Sequence, residues 1–234
     1  MDKYIIENEE IFLQGKLEGN PLKEAEDKFD HNGKPLPFPG CSIICKINIK
    51  SDLFYELKVL QLKYQELSPE KAYTYLPETS FHMTLFDCCN ENTVNTQYWP
   101  KNIDSEKNYH NIAYLLSNRI KKYIFPEKFD LKVKKLFGGY SIILEGNTKN
   151  DEKIIRECRN KLSELLGIRF KNHDTYIFHI TLAYILRKLK ENEIENIIIT
   201  NSRFLETFVQ KFPLIRIEKP VLCTFENMYE FKST

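Results

Sequence analysis

One short pattern occurs twice at matching places, and it constrains the fold more than any other feature of the chain. The run Cys41-Ser42-Ile43-Ile44-Cys45 is echoed by Tyr140-Ser141-Ile142-Ile143-Leu144. Each run reads as a strand, and each leads through a helix-period stretch into a second strand with the wording His-x-Thr. Forty residues separate Ser42 from His82, and 38 separate Ser141 from His179. The order strand, helix, strand, helix, strand thus appears in both halves, about 41–135 and 140–226, as an internal duplication rather than a short solenoid repeat. We expect one domain over 41–234, preceded by an N-terminal extension and loop over 1–40. That loop ends in Leu36-Pro37-Phe38-Pro39-Gly40, where closely spaced prolines favour extended backbone.

The helices are marked by spacing and caps. Ser51 and Asp52 can cap a helix with Leu53, Leu57, Leu60, Tyr64 and Leu67 as its apolar stripe. A second, from about Asn108 to Tyr123, buries Ile112, Leu115, Leu116 and Ile120. A third, from about Asp151 to Leu166, carries Ile154, Ile155, Cys158, Leu162, Leu165 and Leu166 on one face. A closing helix falls within 189–211, followed by strands near 214–217 and 221–225. Gly138-Gly139 marks a turn, and 87–107 reads as a polar surface loop around Trp99, the only tryptophan.

Side chains alternate between the faces of a strand. In Ser80 to Phe86, His82, Thr84 and Phe86 share one face, while Phe81, Met83 and Leu85 share the other. In Tyr176 to Tyr184, His179, Thr181 and Ala183 share a face opposite Phe178, Ile180, Leu182 and Tyr184. Either match alone is weak. Two of them, at equivalent points of a duplication, place an imidazole and a hydroxyl together on the polar side of each strand. Cleaving a phosphodiester requires a base for the attacking oxygen and an acid for the departing one. Histidine titrates near neutral pH and can serve as either. Threonine hydroxyls two residues along can bond the non-bridging oxygens as charge builds there. His82, Thr84, His179 and Thr181 are therefore the candidate catalytic residues. Phe86, Tyr140 and Tyr184 are candidates for substrate contact, by stacking on a base. Lys132, Lys134 and the cluster Arg187-Lys188-Leu189-Lys190 are candidates for attracting phosphate.

At His82-Met83-Thr84-Leu85-Phe86, at His179-Ile180-Thr181-Leu182-Ala183-Tyr184 and at Phe38-Pro39-Gly40, the sequence resembles the 2H phosphoesterase superfamily, the two-histidine, LigT-like phosphodiesterases. It looks closest to an uncharacterised-domain subgroup. Where that subgroup has Asn-Thr after the Phe-Pro-Gly segment, this chain has Cys41-Ser42. The resemblance implies an α+β, bilobal fold with pseudo-two-fold duplicated lobes, each an antiparallel sheet with helices outside, and a cleft between the sheets. It also implies a nucleotide or RNA-end substrate: a 2′,3′-cyclic phosphate, a 2′-5′ linkage or an oligonucleotide end. By analogy His179 would be the base and His82 the acid. The alternative is a catalytically silent RNA-end or partner-binding module with the same fold.

Composition narrows the setting. The chain has 34 basic and 33 acidic residues, a net charge of +1, which argues against stable binding of double-stranded DNA. The N-terminus resembles no signal peptide, and no apolar run is long enough to span a membrane. The six cysteines form no C-x-x-C pair and read as reduced thiols of a cytoplasmic protein. Cys88-Cys89 with distant histidines lacks the spacing of a zinc site, so neither a metal nor a cofactor is expected. A monomer is expected. His110 and His173 read as surface residues, and His31 lies in the N-terminal loop.

Overall fold

The computed structural model describes residues 3–17, 21–104 and 108–234. Three short helices, α1 (Lys3–Glu7), α2 (Glu9–Leu13) and α3 (Pro21–Glu26), come first. They are followed by β1 (Gly40–Lys46), α4 (Asp52–Leu67), β2 (Tyr73–Tyr75) and β3 (His82–Asn90). Next are α5 (Tyr109–Ile120), β4 (Lys128–Phe137), β5 (Ser141–Gly146), α6 (Lys149–Leu166), β6 (Phe178–Thr181) and β7 (Ala183–Ile185). The chain ends with α7 (Glu191–Lys211), β8 (Ile215–Glu218), β9 (Val221–Phe225) and β10 (Lys232–Ser233).

The helices begin where the sequence supplies caps. Ser51 accepts a hydrogen bond from Phe54 N at the start of α4, and Asn108 accepts one from Asn111 N at the start of α5. Thr148 and Asp151 cap α6 reciprocally, and Gly167, with φ of 69°, ends it in a left-handed turn. The apolar stripes of these helices pack into the main core, but their fringes do not. Leu67, Leu115 and Ile154 are 61%, 39% and 37% exposed, because each stands at the solvent edge of its stripe.

Eight strands form one curled antiparallel sheet in the order β10-β9-β1-β3-β6-β5-β4-β8, while β2 pairs with β7 in a separate ribbon. The fold is α+β and duplicated, and its two four-stranded antiparallel sheets are joined edge to edge. The join is the pairing of β3 with β6 at Met83 and Ile180. Each half also sends its last strand to the other: β4 lies beside β5, and β9 lies beside β1. This exchange ties the halves together and leaves the two His-x-Thr strands adjacent at the centre of the sheet. Helices α5 and α6 pack against each other and on the sheet, α6 against β3, β4 and β5.

The N-terminal segment takes part in the core. Phe12 and Leu13 are fully buried with Phe137, Tyr140 and Ile143, and Phe29 and Phe38 cluster with Phe225 and Met228. Burying one such side chain stabilises the fold by about 1.5–3 kcal/mol. The buried carboxylate of Glu9 accepts a hydrogen bond from Gly138 N at 2.7 Å and pairs with Lys135 at 2.5 Å, anchoring the β4–β5 turn. All six cysteines are buried free thiols.

Candidate active site

The alternation expected of the two strands is present at their starts. His82, Thr84, His179 and Thr181 are half-buried, whereas Met83, Ile180, Phe81 and Phe178 lie in the core. All four polar residues line one cavity of about 400 Å³. Met83 stands opposite Ile180. Continuing that antiparallel register sets Thr181 opposite His82 and His179 opposite Thr84. Each imidazole therefore neighbours the other strand's hydroxyl, and the two imidazoles lie on a diagonal of roughly 7–8 Å between backbone positions.

Both rings are held alike. Nδ1 of His82 lies 2.7 Å from the Ser80 carbonyl, and Nδ1 of His179 lies 2.8 Å from the Ile177 carbonyl. A carbonyl oxygen can only accept, so each Nδ1 carries the proton and Nε2 of the neutral ring keeps its lone pair. Burial lowers the pKa of both. At His82 it is opposed by the Ser80 carbonyl and by the charge of Asp87. His179 falls to about 3, chiefly through burial, with the charges of His82 and Lys28 also disfavouring its protonation. At neutral pH both imidazoles are thus uncharged, and an entering anion would draw a proton onto one of them.

Beyond Thr84 the alternation fails. The pairing of β3 with β1 slips between Ile43 and Ile44 and again between Cys41 and Ser42. The extra residues put Leu85 and Phe86 both in the core, then Cys88 and Cys89 both in the core. Phe86, expected on the cavity face, is 1% exposed and packs against Arg159 and His173 instead. The positions returned to the cavity are Asp87 and Asn90. Strict period-two counting misses Asp87 and reaches Asn90 only because the two extra residues cancel, and no glycine in Leu85-Phe86-Asp87-Cys88-Cys89-Asn90 signals a bulge. Arg159, a buried residue of α6, donates to the Leu85 carbonyl and stacks 3.9 Å from the Tyr176 ring centroid, fixing the bulge against β6's approach.

The second strand is interrupted too. β6 stops at Thr181 and β7 begins at Ala183; Leu182 N bonds the Tyr140 carbonyl, and its own carbonyl accepts from Gln61 Nε2. The break re-aims the chain, so that Tyr184 lines the cavity and Ala183 is buried. Tyr140 also lines the cavity. Lys28 reaches in from beyond α3, its ammonium 4.9 Å from the Tyr184 ring centroid. Three of the candidate cations are engaged elsewhere. Lys132 and Lys134 both pair with Glu145 at 3.4 Å, and Arg187 bonds Glu193 and the Glu70 carbonyl. His173, expected at the surface, is 2% exposed, bonds Asn160 and is lowered to about 4, mainly by burial. His31 and His110 are exposed. Among the described residues, no group of three or more His, Cys, Asp or Glu side chains is gathered as a metal site.

Residues 28–140 match the family model 2H-phosphodiest, described as a domain of unknown function (DUF1868). That stretch is similar to a 2H-phosphodiesterase-type domain, and the chain is consistent with the 2H phosphoesterase superfamily. The match takes in His82 and Thr84 and stops before His179. A crystal structure of a conserved protein of unknown function, ATU0111 from Agrobacterium tumefaciens, superposes on this chain with a TM-score of 0.89 at 23% identity, covering 97% of each chain. That likeness is one of fold. No curated protein matches the sequence. For a 2H-phosphodiesterase-type domain, phosphodiesterase-like hydrolysis is the general class of activity supported. Two imidazoles and two hydroxyls on facing strands of one cavity are equipped for it.

Proposed function

We propose that this protein hydrolyses a nucleotide or RNA-derived phosphodiester (a 2′,3′-cyclic phosphate, a 2′-5′ linkage or an oligonucleotide end) by metal-independent acid–base catalysis between His179 and His82. One observation carries the reading: both histidines line the same cavity in the same tautomer, each beside the other strand's threonine. Nε2 of His179 takes a proton from water as the water oxygen bonds to phosphorus. The bond from phosphorus to the leaving oxygen breaks, and that oxygen takes the Nε2 proton that His82 acquires when the anionic substrate enters. The charge of Asp87 favours the protonated form of His82, and that of Lys28 disfavours protonation of His179, which suits this division. Thr84 and Thr181 donate to the non-bridging oxygens.

The same proposal sees a cytoplasmic monomer without membrane or stable double-stranded DNA partners. The near-zero net charge and the buried free thiols support it, and no described helix is long and apolar enough to cross a membrane. The test is incubation with a 2′,3′-cyclic nucleotide and a 2′-5′ oligoadenylate in EDTA, comparing wild type with a His82→Ala, His179→Ala variant. Turnover by wild type alone is expected. Equal rates on every such substrate would leave a binding module with the same fold.

A further inference from the structure

Two hydroxyls in the cavity wall have no part in the scheme above. Tyr140 is 3% exposed and Ser141 1% exposed, both line the cavity, and neither Tyr140 Oη nor Ser141 Oγ has a hydrogen-bond partner. A buried hydroxyl with nothing to bond weakens a fold, so two in succession beside a cavity point to what the cavity takes up. The chain holds them there firmly. Gly138 and Gly139, with φ of +62° and +72°, turn β4 into β5, and the Tyr140 ring packs 6.0 Å from Phe137 and 6.5 Å from Tyr73.

Their position is one-sided. Ser141 stands opposite Thr181, so its hydroxyl neighbours one of the hydroxyls assigned to the scissile phosphate. The place opposite Thr84 is taken by Ile44, which offers none. Lys28 adds an ammonium to the same cavity, and the Asp87 carboxylate lies on the other His-x-Thr strand. Glu24 and Asp27 also line the cavity, and burial raises the pKa of Glu24. Hydroxyl donors together with an ammonium suit anionic oxygens.

We propose that Tyr140 and Ser141, with Lys28, form a second anion subsite beside Thr181, taking a further phosphate group that the substrate carries on the β6 side of the scissile one. This deepens the reading of His82 and His179 as a phosphate site and rests on it. The probes are inorganic phosphate and inorganic pyrophosphate, measured by calorimetry on the full chain. Wild type is expected to bind pyrophosphate at least about tenfold more tightly than phosphate, the worth of one added charge-assisted hydrogen bond. Ser141→Ala with Tyr140→Phe should abolish that preference while leaving phosphate affinity nearly intact; Ser141→Ala alone serves if the double variant unfolds. Equal affinity of wild type for the two probes would overturn the subsite, as would a preference that survives the substitutions. If phosphate itself does not bind, or binds as well to His82→Ala, His179→Ala, the underlying reading fails and takes the subsite with it.

Discussion

β3 and β6 hold the same His-x-Thr pattern, tie each imidazole through Nδ1 to the carbonyl two residues upstream, and meet at Met83 and Ile180. They part after the threonine. β3 runs on through two bulges that carry Asp87 and Asn90 to the cavity, whereas β6 ends at once and hands over to β7. Its other neighbour, β5, contributes Ser141. Pseudo-symmetry therefore supplies a matched pair of imidazoles, and departures from it supply a direction: a carboxylate on one strand, unpartnered hydroxyls beside the other. A symmetric pair could exchange roles freely, while a polarised one binds its substrate one way round.

The largest effect expected is at the matched pair. His82→Ala or His179→Ala should each lower kcat by about 100- to 10,000-fold, and the double variant should be little worse than either single, because the two act as a unit. Independent, multiplying losses would break the pairing. Thr84→Val and Thr181→Val come next, each with a loss in kcat on the order of 100-fold and KM less affected. Steady-state kinetics on a cyclic nucleotide checks both. A loss confined to one threonine would show that only one strand holds the phosphate.

The scaffold itself can be tested on stability. Arg159→Met removes the donor to the Leu85 carbonyl in a buried bulge and should destabilise the protein by about 1–3 kcal/mol in urea unfolding. An unchanged midpoint would mean that the bulge stands without α6. The smallest effect is on pH dependence. His179 at about 3 and His173 at about 4 are held below the ordinary value of 6.5, so the unfolded chain binds protons first. The stability they hold is complete above about pH 6.5 and falls as pH drops toward 3–4. Thermal melts should show Tm lower at pH 5 than at pH 7, with a shallower decline in His173→Asn. A Tm that rises on acidification would contradict the buried neutral imidazoles.

Much of this was legible in residue order. The alternation of Phe81, Met83 and Ile180 against His82, Thr84, His179 and Thr181 needs only the period of a strand. Ser51, Asn108 and Gly167 bound their helices by chemistry that acts within a few residues. What was not legible depends on partners distant in the chain. The bulges that bury Phe86 and expose Asp87 exist because β1 and Arg159 receive them. The exchange of β4 and β9 between halves is a choice of neighbour that local spacing does not encode. His173 sits in a polar turn by sequence, yet the fold closes Phe86 and Asn160 over it.

The central claim is that His82 and His179 act on one phosphate. Titration of inorganic phosphate into protein carrying 15N-labelled histidine, with resonances assigned by substitution, tests it directly. The Nε2 signals of His82 and His179 should move together along one saturation curve, one of them toward the protonated position, while those of His31 and His110 stay still. Movement of one without the other, or two curves with different midpoints, would contradict the account.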